Sequence, residues 1–322
     1  MSDKLISIAM CTYNGEKYIQ EQLDSIQNQT YTNLEIIITD DRSSDKTLEI
    51  IKEYQEKDER IKLYENEKNL GFLKNFDKAI SLCTGDYIAL SDQDDIWKHN
   101  KLEYFMQKIE DNILIYSDAI IIDKDSNEVG VELIRPKHNM CSGPCNKAFL
   151  LNNFISGNTI MFKKELSQHI LPIPEQMSYH DIWIGYVAST YGSITYTEEP
   201  MTYYRKYEGQ VTHQGDVIPT NIFQSLQYKK NLRMKVANIR TKDCEAFLSL
   251  KILQDKDTIK ILELLLDHYQ NFDKIYFNYK LYKILQYYTE ELFCSIRESK
   301  RPRRAFRTAV GMKLKILSFF IL

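Results

Sequence analysis

The chain has 322 residues, 43% of them hydrophobic and 27% charged, with a formal net charge of −3. This length exceeds what a single core usually fills, so we expect one large domain with an appendage. The small net charge does not suggest a nucleic-acid-binding protein, and no apolar run in the sequence is long enough to cross a bilayer.

The first hundred residues alternate between strand and helix patterns. Apolar strands are predicted at 5–10, 34–39, 61–65 and 87–90, and helices at 18–29, 46–57 and 72–82. Ser44 or Asp45 would cap the second helix. Repeated strand–helix–strand units predict a mostly parallel sheet flanked by helices, with ligands at the carboxyl ends of its strands.

The second half of the chain continues this pattern and then changes character. Strands are predicted at 113–123, 157–162 and 193–197, the last leading into 201–205, and a helix at 179–191. Beyond Gly215 glycine and proline are rare, and Leu, Ile, Tyr and Lys recur at helical spacing. We therefore predict a domain over 1–215, with halves near 1–110 and 111–215, and a helical region over 216–322.

Polar residues cluster where three of the predicted strands end, in the segments Thr12-Tyr13-Asn14, Asp40-Asp41 and SDQDD at 91–95. Each segment alone would be an ordinary turn or helix cap. The crowding of Asp92 and Asp94 needs a cation, a helix N-terminus or open water to be tolerable. A solvated acidic loop that caps the next helix is the alternative, and it fits Asp95.

Taken together, the segments resemble family 2 glycosyltransferases with the GT-A fold. The resemblance lies in the order and spacing of ISIAMCTYNGEKYIQEQLDSIQNQTYTNLEIIITDDRSSDKT, NLGFLKNFDKAI and GDYIALSDQDDIW. The form SDQDDIW also resembles bacterial rhamnosyltransferases that build surface polysaccharides. The general resemblance covers about two thirds of the chain and ends near Gly215.

The resemblance implies a nucleotide-sugar site in the first half. Asp94 would ligate Mn²⁺ or Mg²⁺, since both ions favour hard oxygen ligands and complete their shells with phosphate. Asp92 would contact the ribose or act as a second ligand, and His213 is a further candidate ligand or a neutral surface histidine.

The remaining donor contacts implied by the resemblance involve Thr12, Tyr13, Asn14, Asp41, Lys74 and Arg205. Tyr13 would stack on a pyrimidine, and Asp41 would accept the ring N3–H that only uracil or thymine offers. Lys74 would lie near the base or diphosphate, or would be a solvated helix lysine. Arg205 would bind the diphosphate through its guanidinium.

The acceptor side is implied in the second half. Asp181 stands where the family has its general base, although it could instead cap the helix that begins there. Gly157 and Asn158 resemble residues that line the acceptor pocket, and His180 replaces the glutamate of most relatives. Asp118 matches a frequent family position, with a structural role as the alternative.

The implied activity is an inverting, metal-dependent transfer of one sugar of the rhamnose, galactose or glucose class. The donor would be a dTDP- or UDP-sugar and the acceptor a hydroxyl of a surface polysaccharide, attached to a lipid carrier. One sugar per encounter is expected because the Q-x-x-R-W motif of processive relatives is absent. A nucleotidyltransferase and a non-catalytic nucleotide-sugar-binding module are the alternatives, but residues 11–15 are not the glycine-rich phosphate loop that the former needs.

Two further features bear on location. Six scattered cysteines and an N-terminus without a long apolar core predict a reducing, cytoplasmic setting, with Cys141 and Cys145 as ordinary thiols or a metal pair. The tail 297–322 joins eight basic residues to an apolar end. It could lie on the inner face of the plasma membrane, or pack on the protein's own core or on a second subunit of a homodimer.

Overall fold

The computed structural model describes residues 4–134, 139–208, 210, 222–250 and 255–312. The chain divides into two compact units. The first unit comprises Met1–Asn146, Asn153–Glu175 and Tyr179–Tyr207, and the second comprises Lys147–Asn152, Gln176–Ser178 and Glu208–Leu322. The boundary that we predicted at 215, like His213, lies outside the described residues.

The first unit alternates strands and helices along its first hundred residues. They are β1 (Ile6–Thr12), α1 (Ile19–Gln27), β2 (Leu34–Asp40), α2 (Thr47–Lys57), β3 (Ile61–Glu65), α3 (Phe72–Leu82), β4 (Tyr87–Ser91), β5 (Ile96–Trp97) and α4 (Lys101–Lys108). The later elements are β6 (Leu114–Ile122), β7 (Glu128–Glu132), α5 (Asn146–Phe149), β8 (Ile160–Lys163), α6 (Ser167–Ile170), α7 (His180–Tyr191) and β9 (Ile194–Arg205), of which α5 belongs mostly to the second unit.

These strands form one mixed, mostly parallel sheet in the order β3-β2-β1-β4-β8-β6-β9-β5, with β7 beside β6. Strand β1 runs parallel to β2 and β4, and β6 runs parallel to β9. The register places Thr12 beside Asp40 and Met10 beside Ser91, so the ends of these three strands share one edge. The predicted α/β sheet flanked by helices is confirmed.

The central strands form because both of their faces are covered. Strand β2 is buried along its whole length, and apolar residues such as Ile8 and Ile36 meet Leu23 and Ile26 of α1 in the core. A parallel strand covered on both faces is expected to be a continuous apolar run, which is the pattern of LEIIIT.

One predicted strand is shorter than expected. Residues Gly157–Thr159 form a 3₁₀ turn, and β8 begins only at Ile160. The carbonyl of Asn158 accepts hydrogen bonds from Lys101 Nζ at 2.6 Å and from the Thr202 hydroxyl at 3.2 Å instead of from a neighbouring strand. The turn therefore aims Gly157 and Asn158 out of the ladder.

Glu35 is a carboxylate buried on strand β2, next to three consecutive isoleucines. It accepts hydrogen bonds from the Ser7 hydroxyl, the Thr84 hydroxyl and Lys62 Nζ, the last at 2.8 Å. Burial raises the pKa of Glu35, but the hydrogen bonds from Lys62, Ser7 and Thr84 outweigh it and hold the pKa at about 2. The ionised form thus stabilises the fold.

Glu35→Gln is expected to lower the free energy of unfolding of the first unit by about 2 to 3 kcal/mol at pH 7. The difference should be complete above the unfolded-state pKa of 4.5 and should disappear as the pH falls toward about 2. Urea denaturation followed by tryptophan fluorescence measures it, because both tryptophans, Trp97 and Trp183, belong to the first unit. A loss that stays constant from pH 7 to pH 3 would contradict this origin.

The second unit is helical, as predicted for the region beyond Gly215. Its helices are α8 (Ile222–Leu248), α9 (Lys256–Gln270), α10 (Tyr279–Tyr287), α11 (Thr289–Leu292) and α12 (Arg301–Ala309). Asp255 caps α9 by accepting from Thr258 N at 2.8 Å, and Asn278 caps α10 by accepting from Leu281 N at 3.0 Å. None of the described helices is both long and apolar enough to cross a membrane. The apolar end of the predicted tail, 313–322, lies outside the described residues.

Candidate active site

The acidic segment, which we define as residues 92–95, follows β4 at the shared edge of the sheet. Its three aspartates lie in different surroundings. Asp92 is half-buried, Asp94 is 8% exposed and Asp95 is completely buried. The segment is therefore not the solvated acidic loop that was the alternative interpretation of the sequence.

Asp95 does not begin the next helix, because α4 starts at Lys101. Its carboxylate accepts hydrogen bonds from Asn158 Nδ2 and, at 3.0 Å, from Arg205 N. Burial raises the pKa of Asp95 well above its usual range, and the charges of Asp94 and Asp92 raise it further. Asp95 thus links the acidic segment to β9 and to the turn that carries Asn158.

Arg205, which the resemblance assigns to the diphosphate, makes its described contacts with other residues of the protein. Its guanidinium is completely buried and donates through Nε to the Asp94 carbonyl at 2.8 Å and through Nη2 to Glu21 Oε2 at 3.0 Å. It also lies 4.4 Å from the centre of the Tyr18 ring. Because these contacts direct the guanidinium into the interior, Arg205 holds the backbone of the acidic segment in place.

Tyr207, two residues beyond the end of β9, contacts Asp94. Its hydroxyl donates to Asp94 Oδ2 at 2.8 Å, and its ring packs on Tyr18 with 4.9 Å between ring centres. Burial and the negative charge of Asp94 raise the pKa of Tyr207, so its hydroxyl stays protonated and remains a donor. This bond fixes the orientation of the Asp94 carboxylate.

Asp181 lies in the first turn of α7, close enough to the acidic segment to affect its ionisation. Burial raises the pKa of Asp92 to about 7, and the charges of Asp94 and Asp181 add to this effect while Lys101 opposes it. Asp92 therefore has Asp181 as a neighbour in space, although the two residues are far apart in the sequence.

The carboxylate of Asp181 is fixed by hydrogen bonds and has a raised pKa. Its Oδ1 accepts from Ile182 N at 2.6 Å and from Asn153 Nδ2 at 3.0 Å. Burial raises the pKa of Asp181 to about 6 against these hydrogen bonds. Tyr179 occupies the N-cap position of α7 and makes no capping bond with its side chain, whereas Asp181 lies in the first turn and accepts from a backbone N–H of that turn.

Gly157, Asn158 and His180 lie together, as the sequence predicted for the acceptor side. A Cβ on Gly157 would overlap the His180 ring, so this close approach requires glycine. The His180 ring stacks on Phe76 at 4.0 Å between centres, and burial lowers its pKa to about 3. Neither His180 ring nitrogen nor Asn158 Oδ1 is hydrogen bonded to another described residue. Buried polar atoms of this kind are candidate contacts for a ligand hydroxyl.

The residues predicted to bind the nucleotide base of the donor lie at the ends of β1 and β2. Tyr13 is 49% exposed, and its backbone is held on both sides by Gln93, which accepts from Tyr13 N at 2.8 Å and donates to Tyr13 O at 3.0 Å. Thr12 donates to Asp40 Oδ2 at 2.8 Å, and Asn14 Oδ1 accepts from Ser44 N at 2.8 Å. Tyr13 thus presents its ring from a fixed turn.

Asp41 is buried under the loop that follows β3. Its Oδ1 accepts from Asn66 Nδ2 at 3.0 Å and from Leu70 N at 2.7 Å, and its Oδ2 accepts from Gly71 N at 2.8 Å. A carboxylate oxygen has two acceptor sites, so Oδ2 can accept one more donor.

Two further predicted residues have clear surroundings. Lys74 is exposed on α3 and pairs with Glu175, with 2.6 Å between Nζ and Oε1. Asp118 is completely buried and accepts from Ala119 N and Ile134 N, both at 2.8 Å, so it ties the residues after β7 to β6. None of the six cysteines forms a disulfide.

Sequence reasoning missed Lys101, which is completely buried at the start of α4. Besides its bond to the Asn158 carbonyl, its Nζ lies 3.7 Å from the centre of the Trp97 ring. Burial lowers the pKa of Lys101 well below its usual range, and Asp95 and Asp92 act in the opposite direction. The only available signal was the aromatic residue four positions earlier, because a lysine beginning a polar helix is usually solvated.

The chain is similar to known proteins in sequence and in fold. The profile of the family described as "Glycosyl transferase family 2" matches residues 7–171, about half of the chain. An uncharacterized glycosyltransferase of Haemophilus influenzae is 29% identical over 286 residues, which are 84% of this chain and 87% of that protein. The Escherichia coli UDP-Glc:alpha-D-GlcNAc-diphosphoundecaprenol beta-1,3-glucosyltransferase WfgD is 39% identical over 128 residues, or 39% of this chain and 50% of WfgD.

Two solved structures share the fold. TarS of S. aureus in complex with UDP-GlcNAc matches with a TM-score of 0.57 at 19% identity, covering 98% of this chain and 83% of that one. The mannosyltransferase PcManGT of Pyrobaculum calidifontis in complex with GDP-Man and Mn²⁺ matches with a TM-score of 0.53 at 14% identity, covering 98% and 79%. The family profile, the sheet topology and the GT-A-like fold agree, and the chain belongs to glycosyl transferase family 2 and is a glycosyltransferase.

Proposed function

We propose that the chain transfers one sugar, with inversion, from a UDP- or dTDP-sugar to a hydroxyl of a surface-polysaccharide acceptor attached to a lipid carrier. The observation that carries this proposal is that Asp94 and Asp181 both lie close enough to Asp92 for their charges to add to the burial that raises its pKa. In such a site Asp92 and Asp94 can bind a cation, and Asp181, fixed by its own hydrogen bonds, can accept a proton.

The surroundings of the acidic segment fit a divalent cation. Asp92 and Asp94 supply hard oxygen ligands, and their mutual repulsion is what a cation would relieve. Among the described residues no group of three or more His, Cys, Asp or Glu side chains forms a metal site, so donor phosphates would have to complete the shell. When bound, Mn²⁺ or Mg²⁺ would neutralise the diphosphate as it leaves.

Asp181 is assigned as the general base. Its Oδ1 is held by Asn153 and Ile182, so its Oδ2 would take the proton of the acceptor hydroxyl. The acceptor oxygen then forms its bond to the anomeric carbon as the bond to the diphosphate breaks on the opposite face. A single displacement of this kind inverts the configuration. Asn158 Oδ1 and the neutral His180 ring are assigned to orient the acceptor.

The donor contacts are assigned from the ends of β1 and β2. Tyr13 would stack on the base and Asp41 Oδ2 would accept its N3–H, with Thr12 and Asn14 shaping the turn. Lys74 would have to exchange Glu175 for a phosphate, which an exposed ion pair allows at little cost. The sugar class, rhamnose, galactose or glucose, is set by pocket shape.

The activities for which relatives are named support the donor and acceptor classes. WfgD is named for a UDP-sugar donor and a diphosphoundecaprenol-linked acceptor, and TarS was solved with UDP-GlcNAc. PcManGT was solved with GDP-Man and Mn²⁺, so it supports the metal and not the choice of nucleotide. A cytoplasmic enzyme at the inner face of the plasma membrane would meet such an acceptor. His213 and the tail 313–322 belong to this proposal as a further metal ligand and a membrane contact.

A thermal-shift panel of UDP-, dTDP- and GDP-sugars with Mn²⁺ tests the donor assignment. A UDP- or dTDP-sugar at about 100 times its Kd should raise the Tm by about 5 °C or more, and GDP-sugars should not. Tyr13→Ala should reduce the shift, whereas Tyr287→Ala, which removes an exposed tyrosine of the second unit, should not.

The products distinguish the two alternative functions. Release of the nucleoside diphosphate supports sugar transfer, whereas release of pyrophosphate would indicate a nucleotidyltransferase. Donor binding without any product would indicate a non-catalytic module.

A further inference from the structure

The second unit contains a cleft of about 570 Å³ between α8, α9 and α12. Four arginines line it, Arg233 and Arg240 from α8 and Arg304 and Arg307 from α12. No carboxylate is among the described residues that line the cleft. A cavity of this size with four guanidinium groups is suited to an anion larger than a single phosphate.

Neighbouring arginines of the cleft lie close enough to repel each other. Burial lowers the pKa of Arg233, and the charge of Arg307 lowers it further. Burial also lowers the pKa of Arg304, with Arg240 and Arg307 adding to this effect and Tyr269 opposing it. A bound anion would remove this repulsion.

Two neutral protein oxygens and the carboxylate of Asp243 contact Arg240 and Arg304. Arg240 donates to the Leu151 carbonyl at 3.1 Å, and Arg304 donates to Asn152 Oδ1 at 3.4 Å. Asp243 lies 3.9 Å from Arg240, at the limit of an ion pair. These contacts orient the guanidiniums while leaving the cleft strongly positive.

The same cleft exposes large apolar side chains. Leu232 and Val236 of α8 are each 47% exposed, and Phe306 of α12 is 46% exposed. Each of the three therefore leaves about half of its surface in water beside the arginines. A ligand that satisfies both sets of side chains must carry an anionic group and hydrocarbon on the same molecule.

We propose that this arginine cleft binds the phosphate headgroup of an anionic membrane lipid, with Leu232, Val236 and Phe306 contacting its chains. The headgroup oxygens pair with the guanidiniums, while the apolar side chains enter the boundary between headgroups and acyl chains. The second unit is then a membrane-docking module. Docking needs neither donor nor transfer, so its failure would leave the proposed sugar transfer untouched.

Vesicle sedimentation of the full chain without donor tests the proposal. Vesicles of phosphatidylcholine with 30 mol% phosphatidylglycerol are compared with pure phosphatidylcholine. The wild type should bind the anionic vesicles, and Arg304→Gln/Arg307→Gln should weaken binding by about tenfold or more. Lys300→Gln/Arg303→Gln is the matched control, because it removes the same charge from the same segment outside the cleft. It should weaken binding by less than about threefold.

Three results would each overturn the lipid site in the cleft. If both double variants lose vesicle binding equally, general surface charge and not the cleft binds the vesicles. Thermal stabilisation by inorganic pyrophosphate without vesicle binding would overturn the lipid site in favour of a free-phosphate site. A wild type that ignores vesicles and self-associates in light scattering would do so in favour of a second copy of the chain. If the double variant is unfolded by circular dichroism, Arg307→Gln alone, at an exposed position, should still show a loss of about threefold or more.

Discussion

Asp181→Asn is expected to lower kcat for sugar transfer by about 10²- to 10⁴-fold, the range that a general base contributes. The amide keeps the size of the carboxylate and can still accept from Asn153 and Ile182, but it cannot take the acceptor proton. Donor binding should be nearly unchanged, so the thermal shift with a UDP- or dTDP-sugar and Mn²⁺ should persist. Wild-type turnover by this variant would remove Asp181 from its assigned role.

The pH dependence supplies an independent readout. Because Asp181 must be ionised to accept a proton and its pKa is raised to about 6, kcat should rise with pH through about 6 and then level off. Saturating Mn²⁺ keeps Asp92 ionised, so the rise of kcat with pH measures the ionisation of Asp181. Asn153→Ala is the matched variant, since loss of its hydrogen bond removes a contact that lowers the pKa of Asp181. In this variant the rise of kcat should occur at higher pH. If the rise stays at the wild-type pH, a group other than Asp181 is responsible for it.

Local pattern was sufficient to predict most of the first unit. Strand β3 has the predicted ends, and β1, β2 and β4 differ by only one or two residues, because a buried parallel strand is a continuous apolar run ended by polar residues. The failure at 157–162 has a different cause. Lys101 and Thr202, both distant in sequence, bind the Asn158 carbonyl, and such tertiary contacts leave no local periodicity.

The same distinction explains which site residues were predictable. Asp92 and Asp181 stand where the family resemblance places them, and a strand end or helix start fixes their positions. The burial of Arg205 and Lys101 was not predicted because charged residues of these types are nearly always solvated. Here each is completely buried, and the contacts that permit this come from residues as remote as Glu21 and Asn158.

The acidic segment shows how one short sequence can supply three different carboxylates. Asp95 faces Asn158 and Arg205 in the interior, Asp94 is oriented by Tyr207, and Asp92 remains half-buried at the edge of the sheet. The guanidinium of Arg205 holds the Asp94 carbonyl, so backbone and side chain of Asp94 are both fixed from β9 and the residues just after it. This rigidity suits a ligand that must meet a cation at one position.

Asp94→Asn is expected to weaken Mn²⁺ binding and to lower transfer at low Mn²⁺ by at least about 100-fold, since a bound cation supplies several kcal/mol of charge stabilisation. The amide retains an oxygen for the Tyr207 hydroxyl but loses the charge that attracts the cation. The dependence of rate on Mn²⁺ concentration measures the effect, and raising Mn²⁺ should restore part of the activity.

Two further variants separate metal binding from general effects of charge and shape. Asp125→Asn removes an exposed carboxylate paired with Lys124 and should leave the Mn²⁺ dependence unchanged. Tyr207→Phe removes only the hydrogen bond to Asp94 and should raise the required Mn²⁺ concentration less than Asp94→Asn does. If all three variants keep the wild-type Mn²⁺ dependence, Asp94 is not a metal ligand. If only Tyr207→Phe changes the Mn²⁺ dependence, Tyr207 affects the metal site by a route other than its hydrogen bond to Asp94.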